Sequence, residues 1–382
     1  MYLDNPSIDQ VRQTCQQVIA PLDAAPSTVC IFVGEAADLD IPGLIKALCD
    51  ADINFIGGVF PAVIGGDRKS TQGVVVNAFP ILGDTYLIQG LDQSDIALPD
   101  FDPILDSLDH TSDIPPATAL LLVDGLTGNI GTFLSEMYDS LGDSINYLGG
   151  GAGSLSLEQK PCLFSPQGYF QDAALVTFLQ LHSGLGVRHG WQRLEGPVVA
   201  TQTEKTIINQ LSWKNAFDVY RATVEADSGQ ELRTDNFFDI AKGYPFGIAK
   251  AGQEDIVRDP ILVNETGALV CVGEVFENAS LYILKGTVNS LIAAAEQAAK
   301  DSTIDSNNED QVHAVIVVDC ISRVLFLDDQ FEQELISIQR GLGSNHVVPE
   351  GILSLGEISS YGDGLLEFFN KTTVVASLYR QN

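Results

Sequence analysis

Residues 145–155 read INYLGGGAGSL. Four strand-like residues run into three consecutive glycines, then Ala152 and Gly153. Earlier in the chain, residues 53–58 read INFIGG. A dinucleotide-binding loop needs G-x-G-x-x-G between a strand and a helix, so that the pyrophosphate meets the helix N-terminus. Gly149 and Gly151 supply G-x-G, but the third position is Ser154. The continuation SLEQKPCLFSP contains a proline and reads as a turn into another strand. A Walker A signature (G-K-[ST]) is absent from the chain. The glycines therefore read as a backbone requirement: a strand end with positive φ, or close approach of another strand. A small anion-binding nest of freed N–H groups, with Gly150 and Gly151 lining a pocket, is the alternative.

The paired glycine strands sit in matching surroundings. STVCIFVG, DIPGLIKALCDADI, INFIGGVF, a turn at GGDRKSTQ and GVVVNAFP read as strand, helix, strand, turn and strand. Asp40 and Pro42 mark the helix start. TALLLVDG, NIGTFLSEMYDSL, INYLGGGAGSL, KPCLFSPQGYF and DAALVTFL repeat that order. The match reads as an internal duplication, about 27–100 and 115–190. HAVIVVDC, FEQELISIQRGL, VPEGILSLGEI and EFFNKTTVVASL keep the order a third time. Between the second and third copies, strand patterns at VVATQTEKTIINQL, PILVNETGALVCVGEV and SLYILKGT flank helices at WKNAFDVYRATV and LIAAAEQAAKDS. STIDSNNED reads as a polar loop. The expected fold class is α/β with an α+β tendency. Mixed sheets are built from repeated β-α-β-β units, with helices on the outer faces and two packed domains. The crossover makes the first two strands of each unit parallel, and short turns make the later ones antiparallel. The expected organisation is an N-terminal helix over 1–26, one domain over 27–200 and a second over 201–382.

The chain has 382 residues, with 51 acidic and 20 basic residues and a formal net charge of −31. Phosphate surfaces repel such a chain, which excludes nucleic acid and anionic membrane as expected partners. An acidic surface is also what a salty habitat or solubility selects. An 18-residue apolar run is lacking, so membrane insertion is not expected. MYLDNPSIDQ lacks a basic start and an apolar stretch, so no secretory leader is expected. The six cysteines are scattered, without a C-x-x-C pair, and several lie in apolar runs. A reduced, cytoplasmic protein is the simple reading.

The five histidines, His110, His182, His189, His313 and His346, make no H-x-x-x-H pair, which excludes a zincin site. A G-x-S-x-G elbow is also absent. In VVDCISR, Cys320 stands near Arg323; a thiol beside a guanidinium can be acidified, and a packed cysteine with a carboxylate-paired arginine is the plainer reading. Arg258, in IVRDPILV, is a candidate anion clamp, because guanidinium holds carboxylates bidentately. Trp191, Trp213, Tyr220, Tyr244 and Phe246 form a cluster that packs a core or walls a pocket.

Several motifs in fixed order carry a resemblance. They are the glycine strand ending at GGGAGS, HGWQRLEGPVVAT, WKNAFDVY ending in Tyr220, YPFGI, EDIVRDPILV with Arg258, and DCISR with Cys320 and Arg323. FEQELISI, PEGILSLGEISS with Glu357, and LLEFFNKTTVV with Asn370 and Thr372 follow. Over roughly residues 27–378 the chain resembles the FIST proteins, an N-terminal FIST domain followed by a FIST C-domain. Where the family often has His before the Asn of the last motif, Phe369 stands here. The resemblance implies a sensory module that binds a small ligand such as an amino acid or related metabolite; the residues show no assembled nucleophile–base–orienter set, so an enzyme is not expected. It further implies an output partner in trans: a histidine kinase, chemoreceptor or cyclic-dinucleotide enzyme. A homodimer is possible on this reading. The expected roles are Arg258 or Arg323 on a carboxylate, Glu357 on an ammonium, and Asn370 and Thr372 on orientation. No cofactor or metal is expected. The first alternative is a haem-binding nitric oxide sensor with His189, in RHGW, as axial ligand and Cys320 second. The second alternative is an enzyme using Cys320 as nucleophile.

Overall fold

The computed structural model describes residues 1–22, 26–93, 95–108, 115–250, 254–304, 312–343, 347–360 and 366–380. His110, His346 and most of the expected STIDSNNED loop lie outside them. The fold is mixed α/β in a two-domain arrangement.

Three segments show the same pairing. In the first unit, the strand Ser27–Gly34 lies parallel to Phe55–Phe60 and antiparallel to Val74–Gln89. In the second, Thr118–Asp124 lies parallel to Asn146–Ala152 and antiparallel to Ala173–Leu179. In the third, Val312–Cys320 lies parallel to Glu350–Ser354 and antiparallel to Thr373–Arg380. Helices supply the crossovers: Ile41–Cys49, Ile130–Leu141, and the pair Ile321–Leu327 and Phe331–Gly341.

Each unit also carries a short hairpin, and none keeps it. The hairpin of the first unit, from Ala62–Gly65 and Arg68–Ser70, joins Glu350–Ser354 of the third. That of the second, from Leu163–Ser165 and Gly168–Phe170, joins Phe55–Phe60 of the first. That of the third, from Glu357–Ser360 and Leu366–Phe369, joins Asn146–Ala152 of the second. The exchange is cyclic: an eleven-stranded sheet draws on all three units, and a six-stranded sheet joins the third unit to the hairpin of the first and to the strand Leu181–Arg188. Between the sheets lies one apolar core that includes Phe32, Phe79, Leu148, Leu163, Val318 and Val374. Burying one such Phe stabilises by about 1.5–3 kcal/mol. Helices cover the outer faces, as Leu44 and Leu48 do over Val29 and Ile31, and as Phe133 and Met137 do over Leu121 and Val123.

The opening glycines are explained by the exchange. Gly57, Gly149 and Gly351 pair in register with Ile31, Leu121 and Val317 of their own first strands. On the other side they pair with Phe164, Ile358 and Ile64 of incoming hairpins. A Cβ at Gly149 would fall inside contact distance of the Leu121 carbonyl oxygen, and one at Gly351 would do so with Val317. Gly149 to Gly151 therefore lie within the strand rather than at a bend ending it; the positive φ belongs to Gly153, at 138°. The need is space, not handedness.

Residues 192–285 build a separate seven-stranded antiparallel sheet from Gln192–Glu204 to Ser280–Lys285. The helix Ala216–Ser228 packs on it around Tyr220, Phe237 and Phe246. Asn215 caps that helix through bonds from the Phe217 and Asp218 N–H groups. Among the described residues no helix is long and apolar enough to cross a membrane.

Candidate functional site

A cavity of about 990 Å³ lies where the second unit, the third unit and the inserted sheet meet. One wall is the turn between Thr118–Asp124 and Ile130–Leu141, residues 125–129, and the start of that helix. The Leu126 N–H donates to Asp124 Oδ1, an Asx-turn. Asn129 follows at φ 57°, a left-handed conformation asparagine tolerates. Its amide donates to the carbonyls of Leu91, Asp92 and Gln93, and its Oδ1 accepts from Lys205 Nζ. The facing wall comes from the strand Ile256–Val263 and residues 271–274. The floor comes from Cys320 to Ser322 and from Leu366 to Phe368 with Asn370.

Arg258 lies inside the strand Ile256–Val263 and is only 7% exposed. Its Nε donates to the Glu274 carbonyl, and its Nη1 to the carbonyls of Val257 and Phe368. Among the described residues no carboxylate comes within 4 Å of the guanidinium, and Nη2 has no hydrogen-bond partner. Burial alone pulls this guanidinium down from its usual range. Asn370, 1% exposed, leaves both amide atoms without a partner. Buried polar groups are normally satisfied, and such an exception asks for an explanation. Gly273, at φ 82°, presses on both side chains: a Cβ there would stand 2.9 Å from Arg258 Nε and 2.9 Å from Asn370 Oδ1.

Cys320 lines the cavity, but Glu357 and Thr372 stand behind its wall. Glu357 accepts from Ser354 Oγ (2.7 Å) and the Thr372 N–H (3.2 Å), so its oxygens are already engaged. Thr372 Oγ1 donates to the Asn370 carbonyl. Burial pushes the Glu357 carboxyl up to about 8, against those hydrogen bonds, so it does not offer a ready anion to an ammonium. Across pH 4.5 to 8 the folded chain keeps a proton that the unfolded chain releases. This group therefore makes stability fall as pH rises through that window and level off above it. Glu357→Gln should remove that share of the decline. Urea unfolding of both proteins between pH 5 and 9 checks it, and parallel curves would refute it.

Burial, with the Glu357 carboxylate next to it, also pushes the Cys320 thiol up. That opposes a nucleophilic thiolate. Cys49 is the exposed cysteine, and the other five are buried. A disulfide reagent should modify one thiol of the folded protein quickly and all six in denaturant. A second fast thiol that vanishes in Cys320→Ser would restore the nucleophile reading.

The remaining expected residues lie elsewhere. Arg323 is fully buried, outside the cavity lining. It makes a fork with Glu334, Nε to Oε1 at 2.9 Å and Nη2 to Oε2 at 2.8 Å, and donates to the carbonyls of His189, Lys371 and Leu291. Its single Nε–H is spent on Glu334, so Asp319 Oδ1 at 3.3 Å contributes charge rather than a hydrogen bond. Arg323 is thus a structural hub with no donor left for a ligand carboxylate. Tyr220 donates to the Tyr244 carbonyl inside the core of the inserted sheet. Trp213, 79% exposed, is not part of that core. The Gly151 N–H donates to the Gly356 carbonyl, and Gly150 packs against Val318 and Ser354, so the nest reading loses its donor. His189 Nδ1 accepts the Trp191 N–H, and Nε2 lies 3.5 Å from Glu254 Oε2. The imidazole faces a carboxylate and lies outside the cavity lining.

Comparison with known families gives two adjoining matches. The FIST N domain matches residues 27–214 and the FIST C domain matches residues 216–360. The chain belongs to the FIST family. FIST domains are generally sensory, signal-transduction domains that bind small ligands. A comparison with curated proteins finds none that matches significantly. In this FIST protein the cavity spans both matched regions, since residues 125–131 belong to the first and Arg258 and Cys320 to the second. Sequence reasoning missed the turn GLTGN, together with Asp259, Glu274 and Glu367. The turn does carry a signal, two glycines and an asparagine between strand and helix, but an ordinary connection carries the same one.

Proposed function

We propose that this FIST protein is a sensory module whose cavity binds a small carboxylate-bearing ligand and passes the signal to a partner in trans. The supporting observation is the Arg258 guanidinium on the cavity wall, without an ion-pair partner, beside the unpartnered Asn370 amide. A guanidinium with a free Nη2 and an amide with a free donor match the acceptor oxygens of a carboxylate. Arg323 and Glu357 leave this reading because their polar atoms are engaged. A histidine kinase, chemoreceptor or cyclic-dinucleotide enzyme would be the output partner.

Calorimetry with amino acids and simple carboxylates tests the assignment. Removing a charge-assisted contact costs about 1.5–3 kcal/mol, so Arg258→Gln should bind roughly 10- to 150-fold more weakly. Equal affinity in a variant that unfolds at the wild-type urea concentration would overturn it.

A further inference from the structure

The described residues include nine large hydrophobic side chains that remain exposed, and five of them line this one cavity: Leu155, Leu157, Leu262, Phe276 and Leu325. Phe276 is 70% exposed and Leu157 57%. Apolar surface gathered around one opening, on a chain with charge −31, is not the scatter of single residues that a solvated surface shows. Further in, Leu126 and Leu134 continue the apolar wall, while Arg258 and Asn370 lie buried. The volume, about 990 Å³, sits at the upper end for small-ligand sites and exceeds what a single polar amino acid fills.

Polarity therefore divides the cavity: a buried polar end with an unpaired cation, and an apolar passage to solvent. Resting on the carboxylate reading above, we infer that the ligand class is amphiphilic, a carboxylate head with an extended apolar body. The head meets Arg258 and Asn370, and the body lies along Leu262 and Phe276. Water leaving those side chains supplies the main gain in affinity, and the head fixes orientation.

Straight-chain carboxylates from acetate to decanoate, titrated calorimetrically into the full chain, test this. Affinity should rise about fourfold per added methylene until the passage is filled. Octanol, which lacks the charge, should bind at least tenfold more weakly than octanoate. Phe276→Ser changes an exposed side chain and should flatten the chain-length slope while leaving short carboxylates unaffected. If polar amino acids such as aspartate and glutamine bind better than octanoate, the amphiphile inference fails and the carboxylate reading stands. If neither series binds, both fail. An unchanged slope in Phe276→Ser overturns the inference by itself.

Discussion

Arg323→Ala should destabilise the folded chain by about 3–5 kcal/mol, the usual cost of breaking a buried ion pair by removing one partner. The truncation leaves Glu334 and Asp319 together in the interior, both fully buried, with no cation between them. It also strips three carbonyls, those of His189, Lys371 and Leu291, of a donor. Asp319 is already pushed well above the usual carboxylate range, first by burial and then by Glu334. Arg323→Lys should recover little, because an ammonium cannot make the two-pronged contact with Glu334 and reach the carbonyls as well. The check is a shift in the urea midpoint at constant slope. Near-wild-type stability with lost ligand binding would return Arg323 to the role of a ligand clamp.

Gly149→Ala should cost about 3 kcal/mol or more, beyond ordinary overpacking, because the new methyl meets backbone rather than a movable side chain. The Leu121 carbonyl it strikes is part of a parallel ladder and cannot turn away. Gly351→Ala should behave alike through Val317. Gly128 is the control. A Cβ there meets nothing within 4 Å, so Gly128→Ala should be neutral or stabilising by up to about 1 kcal/mol. A Gly149→Ala protein as stable as wild type would mean that the strands spread at little cost.

What was legible in the sequence follows from the range of the forces concerned. STVCIFVG, TALLLVDG and HAVIVVDC announce buried strands through local apolar runs. INFIGG and INYLGG announce each other. The need for space at Gly149 shows as glycine, but its cause, a strand from another unit on the far side, does not. Partner choice for a hairpin is decided hundreds of residues away and leaves no local pattern. The cavity shows the same division. Arg258 and Asn370 stood out by residue type in an acidic chain. The same reasoning gave equal rank to Arg323, since nothing local tells a guanidinium facing Glu334 from one facing a void. Glu334 sits eleven positions on, across a break between two helices, where a helical i,i+4 search does not look.

The cyclic hairpin exchange bears on how the chain reaches its native state during synthesis. Ala62–Gly65 finds its pairing partner only when Glu350–Ser354 has been made. Asn146–Ala152 likewise waits for Glu357–Ser360. The first two units must stand for most of translation with unpaired strand edges and part of the shared core exposed. Pairings this distant make folding slow, and open edges on an emerging chain invite aggregation. A fragment ending before residue 350 should therefore be recovered in aggregates, whereas the full chain closes every one of those edges upon itself.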